Sequence, residues 1–100
     1  DPETIRSITG HSYQGTPAYI TGYQRFPVKN KPYPGIIESE GIVHGLLYTN
    51  ITPESLALLD EYEGPEYTRE TVEVFLVPTS QTPAWCYLYK KELKNNLEKP

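Results

Sequence analysis

One hundred residues carry one modest core, and so one domain. Nine basic against thirteen acidic side chains leave a net charge of -4 with no basic run, which argues against nucleic acid and anionic membrane as partners. Cys86 is the only cysteine, so an intrachain disulfide and a cysteine-based metal site are excluded, and a reducing, cytoplasmic setting is expected.

No apolar run approaches membrane-spanning length, and the start of the chain has no signal-like segment. Ten Pro and nine Tyr point to a β-rich domain with many turns and half-buried phenols, not to a helical bundle. The chain has no Met, so an upstream segment is expected in the parent product.

In chain order, Asp1-Pro2-Glu3 opens a short helix over residues 2–9, with Ile5 and Ile8 on one face and Gly10 as its stop. Thr16 to Phe26 is predicted as a strand interrupted at Gly22, which marks a bulge or a close backbone contact. Val28 to Gly35 is predicted as loop or irregular edge, because Pro32 and Pro34 with Asn30 break a ladder. Ile36-Ile37-Glu38 starts a short strand and Ser39-Glu40-Gly41 a turn. Ile42 to Tyr48 has apolar residues on both faces and is the predicted central strand.

A helix over 53–62 follows, capped by Thr52, with Pro53 at its first position and Gly64-Pro65 at its close. Tyr67 to Val77 alternates, with Val72, Val74 and Leu76 on one face, and pairs in a hairpin with Ala84 to Tyr89 across a turn at 78–83. Residues 1–90 make the domain. Residues 91–100 are expected as a charged, frayed helix or linker.

Within the 53–62 helix, Leu56, Leu58, Leu59 and Tyr62 share one broad arc at about 100° per residue. Glu63 falls seven residues after Leu56, at the edge of that arc, while Glu54 and Glu61 point away. A carboxylate in the last turn faces the negative end of the helix dipole, and partial burial adds a desolvation cost. Both raise its pKa, which suits a general acid/base near neutral pH. The plain alternative is a solvated helix-terminal Glu.

Other chemistries find less support. His11 and His44 lack ligand-type spacing, so no metal is expected. No nucleophile elbow and no phosphate-cradling glycine loop occur. Cys86 reads as a buried structural thiol. Arg69 reads as the partner of a carboxylate, on a ligand or on Glu63 or Glu66. Tyr33, Tyr48, Tyr67, Tyr87 and Tyr89 read equally as pocket walls and as core residues with wet hydroxyls.

The ordered motifs Gly22-Tyr23, Tyr33-Pro34-Gly35-Ile36, Val43-x-Gly45-x-x-Tyr48, Leu59-Asp60-x-Tyr62-Glu63-Gly64, Tyr67-x-Arg69 and Tyr87-x-Tyr89 resemble the γ-glutamylcyclotransferase-like (avirulence-induced-gene-like) family over roughly residues 1 to 90. The resemblance implies an α+β fold, a small mixed-sheet β-barrel flanked by short helices. It also implies cleavage of γ-glutamyl amides to 5-oxoproline and a free amine, with no metal or organic cofactor. The family's catalytic Glu falls on Glu63, and substrate-binding roles carry over to Tyr33, Pro34, Gly35, Ile36, Tyr67 and Tyr89. The expected partner is a small γ-glutamyl molecule, with loops 27–35 and 78–83 lining the pocket mouth.

The family also carries a Tyr-Gly-Ser/Thr loop just before an Asp-Pro-like helix start. This chain begins at Asp1-Pro2, so that loop and its strand are not in it. Losing such preorganised donors costs about 100- to 1,000-fold in rate. The chain alone is therefore expected to be weak or inactive, monomeric, and able to associate through an open sheet edge. The rival reading is a non-catalytic small-molecule-binding or interaction module on the same fold.

Overall fold

The computed structural model describes residues 1–76 and 80–98. The Asp1 carboxylate caps α1 (Pro2–Thr9) by accepting from the Thr4 amide at 2.9 Å, and Gly10 closes the helix in the left-handed conformation. Both ends are those expected from the sequence.

Two hairpins build the sheet. β1 (Gly15–Pro27) pairs along its length with β2 (Pro34–Tyr48), and β3 (Tyr67–Leu76) pairs with β4 (Ser80–Tyr89) in a register that sets Tyr67 opposite Tyr89. Helix α2 (Pro53–Glu63) connects them. The hairpins join where Ala18 faces Leu76 and Tyr19 faces Phe75, giving the order β2-β1-β3-β4. The fold class is α+β. Every pairing among the described residues is antiparallel, however, where the resemblance implied a mixed sheet. Hairpins yield antiparallel neighbours, and no crossover among these strands supplies a parallel one.

The strand predicted over 42–48 is neither separate nor central. Ser39-Glu40-Gly41, read as a turn, continues β2 as a bulge: Thr21 pairs with Ile42 and Tyr23 with Glu38, so three residues stand opposite Gly22 alone. Gly22 has φ 83°, and a Cβ on Gly41 would lie 2.8 Å from the Tyr23 carbonyl oxygen. Turn-type residues here bend the strand without reversing it. The resulting β2 is an edge strand. Val43 is buried, but Ile42 and Leu46 are 56% and 44% exposed. Apolar side chains on both faces do not decide how many hydrogen-bonded neighbours a strand has, and β2 has only β1.

The predicted turn at 78–83 also shifts. Ser80 to Pro83 belong to β4, and residues 78 and 79 lie outside the described residues. Pro83 is accommodated because β4 is an edge strand.

Ala18, Ile20, Val43, Val72, Val74 and Leu88 form the main core. A second cluster, Val28, Tyr89 and Leu97, seals the other end. The sheet curls so that the start of β2 lies on the end of β4. A Cβ on Gly35 would fall 2.8 Å and 2.9 Å from the Tyr89 Cγ and Cβ, atoms that cannot swing aside. Gly35→Ala should therefore cost about 1–3 kcal/mol through overpacking. A urea midpoint equal to the parent's would show that this end is not closed.

The tail differs from expectation as well. Residues Lys91–Asn96 form a 3-10 helix, and Leu97 is 7% exposed and bridges to Val28. The Lys29 amide donates to the Asn96 carbonyl at 2.7 Å and the Glu98 amide to the Pro27 carbonyl at 2.8 Å.

Candidate active site

The helix that carries Glu63 starts and stops as its sequence dictates. The Thr52 hydroxyl accepts from the Ser55 amide at 3.1 Å, and Gly64 leaves the helix at φ 80° with its N–H on the Asp60 carbonyl. The inward face is rotated from the predicted arc. Ser55 is 1% exposed and accepts a 2.8 Å hydrogen bond from the Tyr13 hydroxyl, whereas Leu58 and Tyr62 are 43% and 60% exposed. Tyr13 holds the helix so that Ser55, Leu56, Leu59 and Glu63 turn toward the sheet.

Glu63 lies between two hollows. One, of about 600 Å³, runs between the helices and the sheet and is lined by Ile5, Ile8, Leu56 and Leu59 among others. The other, of about 640 Å³, is walled by Tyr33, Pro34, Ile36, Tyr67 and Tyr87, with Arg25 and Asp1 at its sides. Burial raises the Glu63 pKa above the ordinary carboxylate value.

The remaining predicted residues separate into two groups. Tyr33, Pro34, Ile36 and Tyr67 share the second hollow with Glu63. Gly35 and Tyr89 do not line it: Gly35 packs on the Tyr89 ring, and Tyr89 is 2% exposed in the second core cluster. Tyr48 is half-buried at the first hollow, its hydroxyl without a partner among the described residues.

The hydroxyls of Tyr33, Tyr67 and Tyr89 are committed to acceptors. Tyr33 donates to one Glu66 oxygen at 2.7 Å and Tyr89 to the other at 3.1 Å, while Tyr67 donates to the Pro34 carbonyl at 2.7 Å. The Glu66 carboxylate, followed by desolvation, pushes the Tyr33 phenol up to about 12. The Tyr67 phenol is raised as well, first by burial and then by the charge of Glu63. These hydroxyls keep their protons at neutral pH, so the rings serve as walls and not as bases.

Arg69 pairs with neither Glu63 nor Glu66. Its Nε lies 3.3 Å from Asp60, its guanidinium sits 4.6 Å from the Trp85 ring centroid, and Tyr87 donates its hydroxyl proton to the same Asp60 carboxylate. Asp60 was not singled out for a role from the sequence, and Glu66 only as a possible partner of Arg69, not as the acceptor of Tyr33 and Tyr89. A signal existed for Asp60, since three residues before Glu63 is the same helical face. Asp60→Asn should cost about 1–2 kcal/mol, the lower part of the charged-hydrogen-bond range because the pair is partly solvated. A denaturant midpoint unchanged in Asp60→Asn would remove Asp60 as a buttress of Tyr87.

Cys86 is half-buried with its thiol pKa raised by desolvation, which suits a structural role. His44 is exposed, its ring 5.8 Å from that of Tyr19. No group of three or more His, Cys, Asp or Glu among the described residues could hold a metal ion, and no described helix is long and apolar enough to cross a membrane.

The comparisons with known proteins agree on one family. The family described as "Gamma-glutamyl cyclotransferase, AIG2-like" matches residues 1–100. AIG2-like protein C of Arabidopsis thaliana is 37% identical over 82 residues, which is 81% of this chain and 48% of that protein. The gamma-glutamylcyclotransferase family protein ytfP of Citrobacter rodentium (strain ICC168) is 31% identical over 99 residues, 91% of this chain and 80% of that protein. A solution structure of the Arabidopsis thaliana protein At5g39720.1 superposes with a TM-score of 0.81 at 33% identity, covering 92% of this chain and 63% of that one. The chain spans about half the length of the Arabidopsis relatives it matches. With the family's description matching from end to end and relatives above 30% identity on both sides of the plant–bacterial divide, the chain belongs to the AIG2-like gamma-glutamyl cyclotransferase family.

Proposed function

We propose that the protein carrying this domain converts a γ-glutamyl amide or amine into 5-oxoproline and a free amine, with Glu63 as the proton carrier. The observation that carries this reading is a half-buried carboxyl of raised pKa opening on a hollow walled by Tyr33, Tyr67 and Tyr87. The substrate's α-amino nitrogen attacks its own γ-carbonyl carbon, the carbon–nitrogen bond to the leaving amine breaks, and a five-membered lactam closes. Glu63 takes the proton released by the attacking nitrogen and returns it to the departing one. A single carboxyl serves both directions when its pKa lies near the working pH. The substrate is a small molecule, and a cytoplasmic setting with Cys86 reduced is part of the same proposal.

The experiment is to supply γ-glutamyl amides to the natural product containing residues 1–100 and to quantify 5-oxoproline and amine together. Equal amounts of the two, abolished in Glu63→Gln, support the reaction. Binding without release of either product would instead identify a non-catalytic module.

A further inference from the structure

The helix that carries Glu63 ends at Gly64, and β3 begins at Tyr67, so Glu66 lies in the short link between them. Its side chain is half-buried and does not line the Glu63 hollow. Its two carboxylate oxygens take one phenol each. Oε1 accepts from Tyr33 at 2.7 Å and Oε2 from Tyr89 at 3.1 Å, while the main-chain carbonyl accepts from the Lys90 amide at 2.9 Å. One residue thus ties three stretches that lie far apart in sequence: the loop 28–33, the end of β4 and the link behind Glu63.

The two phenol ties differ in what they hold. Tyr89 is buried with Val28 and Leu97 in the second core cluster, so that side is fixed scaffold. Tyr33 stands on the loop joining β1 to β2 and walls the Glu63 hollow. The backbone bonds of that loop run from the Lys31 amide to the Val28 carbonyl, from the Val28 amide to the Tyr33 carbonyl and from the Lys29 amide to the Asn96 carbonyl. They shape the loop but do not orient the Tyr33 ring. Among the described residues its hydroxyl bonds to Glu66 alone, and its ring leans on Tyr67 at a centroid distance of 6.2 Å.

A carboxylate is the side chain this place calls for. Both of its oxygens accept, whereas an amide offers one acceptor and one donor and satisfies only one of two phenol protons. With an amide, the buried Tyr89 keeps the acceptor, because an unpaired hydroxyl costs more there than at the hollow, where water reaches Tyr33.

We propose that Glu66 is a positioning residue for the candidate active site: it fixes the Tyr33 ring against the scaffold, sets the width of the Glu63 hollow, and so governs how tightly substrate is held without touching it. The identity of the ligand rests on the reaction proposed above. The test uses the natural product containing residues 1–100, with Glu66→Gln, Tyr33→Phe and the double variant. Binding of γ-glutamyl ethylamide is measured by calorimetry and its turnover by steady-state kinetics. Each single variant should raise Kd and KM by about 3- to 10-fold and leave kcat within about twofold of the parent. The double variant should bind no more weakly than either single one, because both remove the same tie.

Losses that multiply in the double variant would overturn the assignment. So would a Glu66→Gln variant that melts earlier yet binds as the parent does, since that is the mark of scaffold alone. A second readout follows the tie itself. The Glu66 hydrogen bond is the largest cause raising the Tyr33 phenol to about 12. Near pH ~10, where an ordinary phenol is half ionised, Tyr33 of the parent should stay protonated, and in Glu66→Gln it should ionise at lower pH. Carbon ring shifts of isotope-labelled tyrosine report this, with Tyr33→Phe giving the assignment. Unchanged ionisation in Glu66→Gln would sink the tie. Glu66-dependent binding without any 5-oxoproline would uphold the positioning role while the proposed reaction failed, and a parent that does not bind the ligand would end it.

Discussion

Glu63→Gln should lower turnover of a γ-glutamyl amide by about 100- to 10,000-fold, the usual contribution of a general acid/base, while the folded structure persists. The amide keeps the shape of the carboxyl and loses only its proton chemistry. Among the described residues Glu63 enters no ion pair and no side-chain hydrogen bond, so the substitution breaks no structural partnership. Stability should move in the opposite direction to activity. Burial raises the Glu63 pKa in the folded state, so the folded chain holds that proton more tightly than the unfolded one. The carboxyl's contribution to stability is fully present below the unfolded value of about 4.3 and is lost as pH rises through the folded value. At neutral pH the parent therefore carries a desolvated charge that the variant lacks. Glu63→Gln should be at least as stable there, and the difference should vanish on acidification below the unfolded pKa.

The same shift makes a kinetic statement. In the proposed reaction Glu63 acts as a base first, so the acid limb of kcat/KM should lie above the ordinary glutamate range and be absent in the variant. A variant that kept parental turnover would remove Glu63 from the mechanism. A variant with the same acid limb, but slower, would assign that limb to another group.

The position of Glu63 was legible because a helix bounded by Thr52-Pro53 and Gly64 fixes which residue ends it, and seven residues after Leu56 is two turns along the same face; Leu58 and Tyr62, placed on that arc too, are exposed instead. The cavity side of the motif Tyr33-Pro34-Gly35-Ile36 was legible only as a group. Strand alternation sends Gly35 toward the Tyr89 ring, while Pro34 and Ile36 face the hollow with Tyr33. Tyr89 was assigned to the site on its position in a motif, and its burial against Val28 and Leu97 shows what a motif does not encode. Its hydroxyl still reaches the site indirectly, since it shares Glu66 with Tyr33.

Arg25 and Asp60 escaped for different reasons. A side chain's direction beyond a bulge depends on how many residues the partner strand contributes, and here that is three opposite one. The Asp60 contacts with Arg69 and Tyr87 bring together residues 9 and 27 positions apart, which no local pattern reports. The hairpins, by contrast, follow from alternation and turn residues. The placement of β2 at the edge depends on which hairpins meet, which is a property of the whole sheet.

Leu97→Ala should cost about 2–4 kcal/mol, the range for emptying a buried leucine site. From sequence Lys91-Glu92-Leu93-Lys94-Asn95-Asn96-Leu97 holds only two apolar residues, Leu93 and Leu97, too few to declare a buried face. Its burial is set by partners far away in the chain: Val28, which it bridges, and Tyr89. The same cluster has Tyr33 and Tyr67 packed against it, so it stands directly behind the wall of the Glu63 hollow. For a domain of this size each kcal/mol lowers Tm by roughly 4–8 °C, so the loss should be plain in a thermal melt. Activity should fall at temperatures where the variant is still folded, because a cavity behind Tyr33 and Tyr67 lets the wall relax away from substrate. A KM increase with kcat preserved would be the signature of that relaxation, and Lys94→Ala, on the exposed face of the same 3-10 helix, should show neither effect. A Leu97→Ala loss below about 0.5 kcal/mol, typical of a surface position, would mean that the tail does not dock as described.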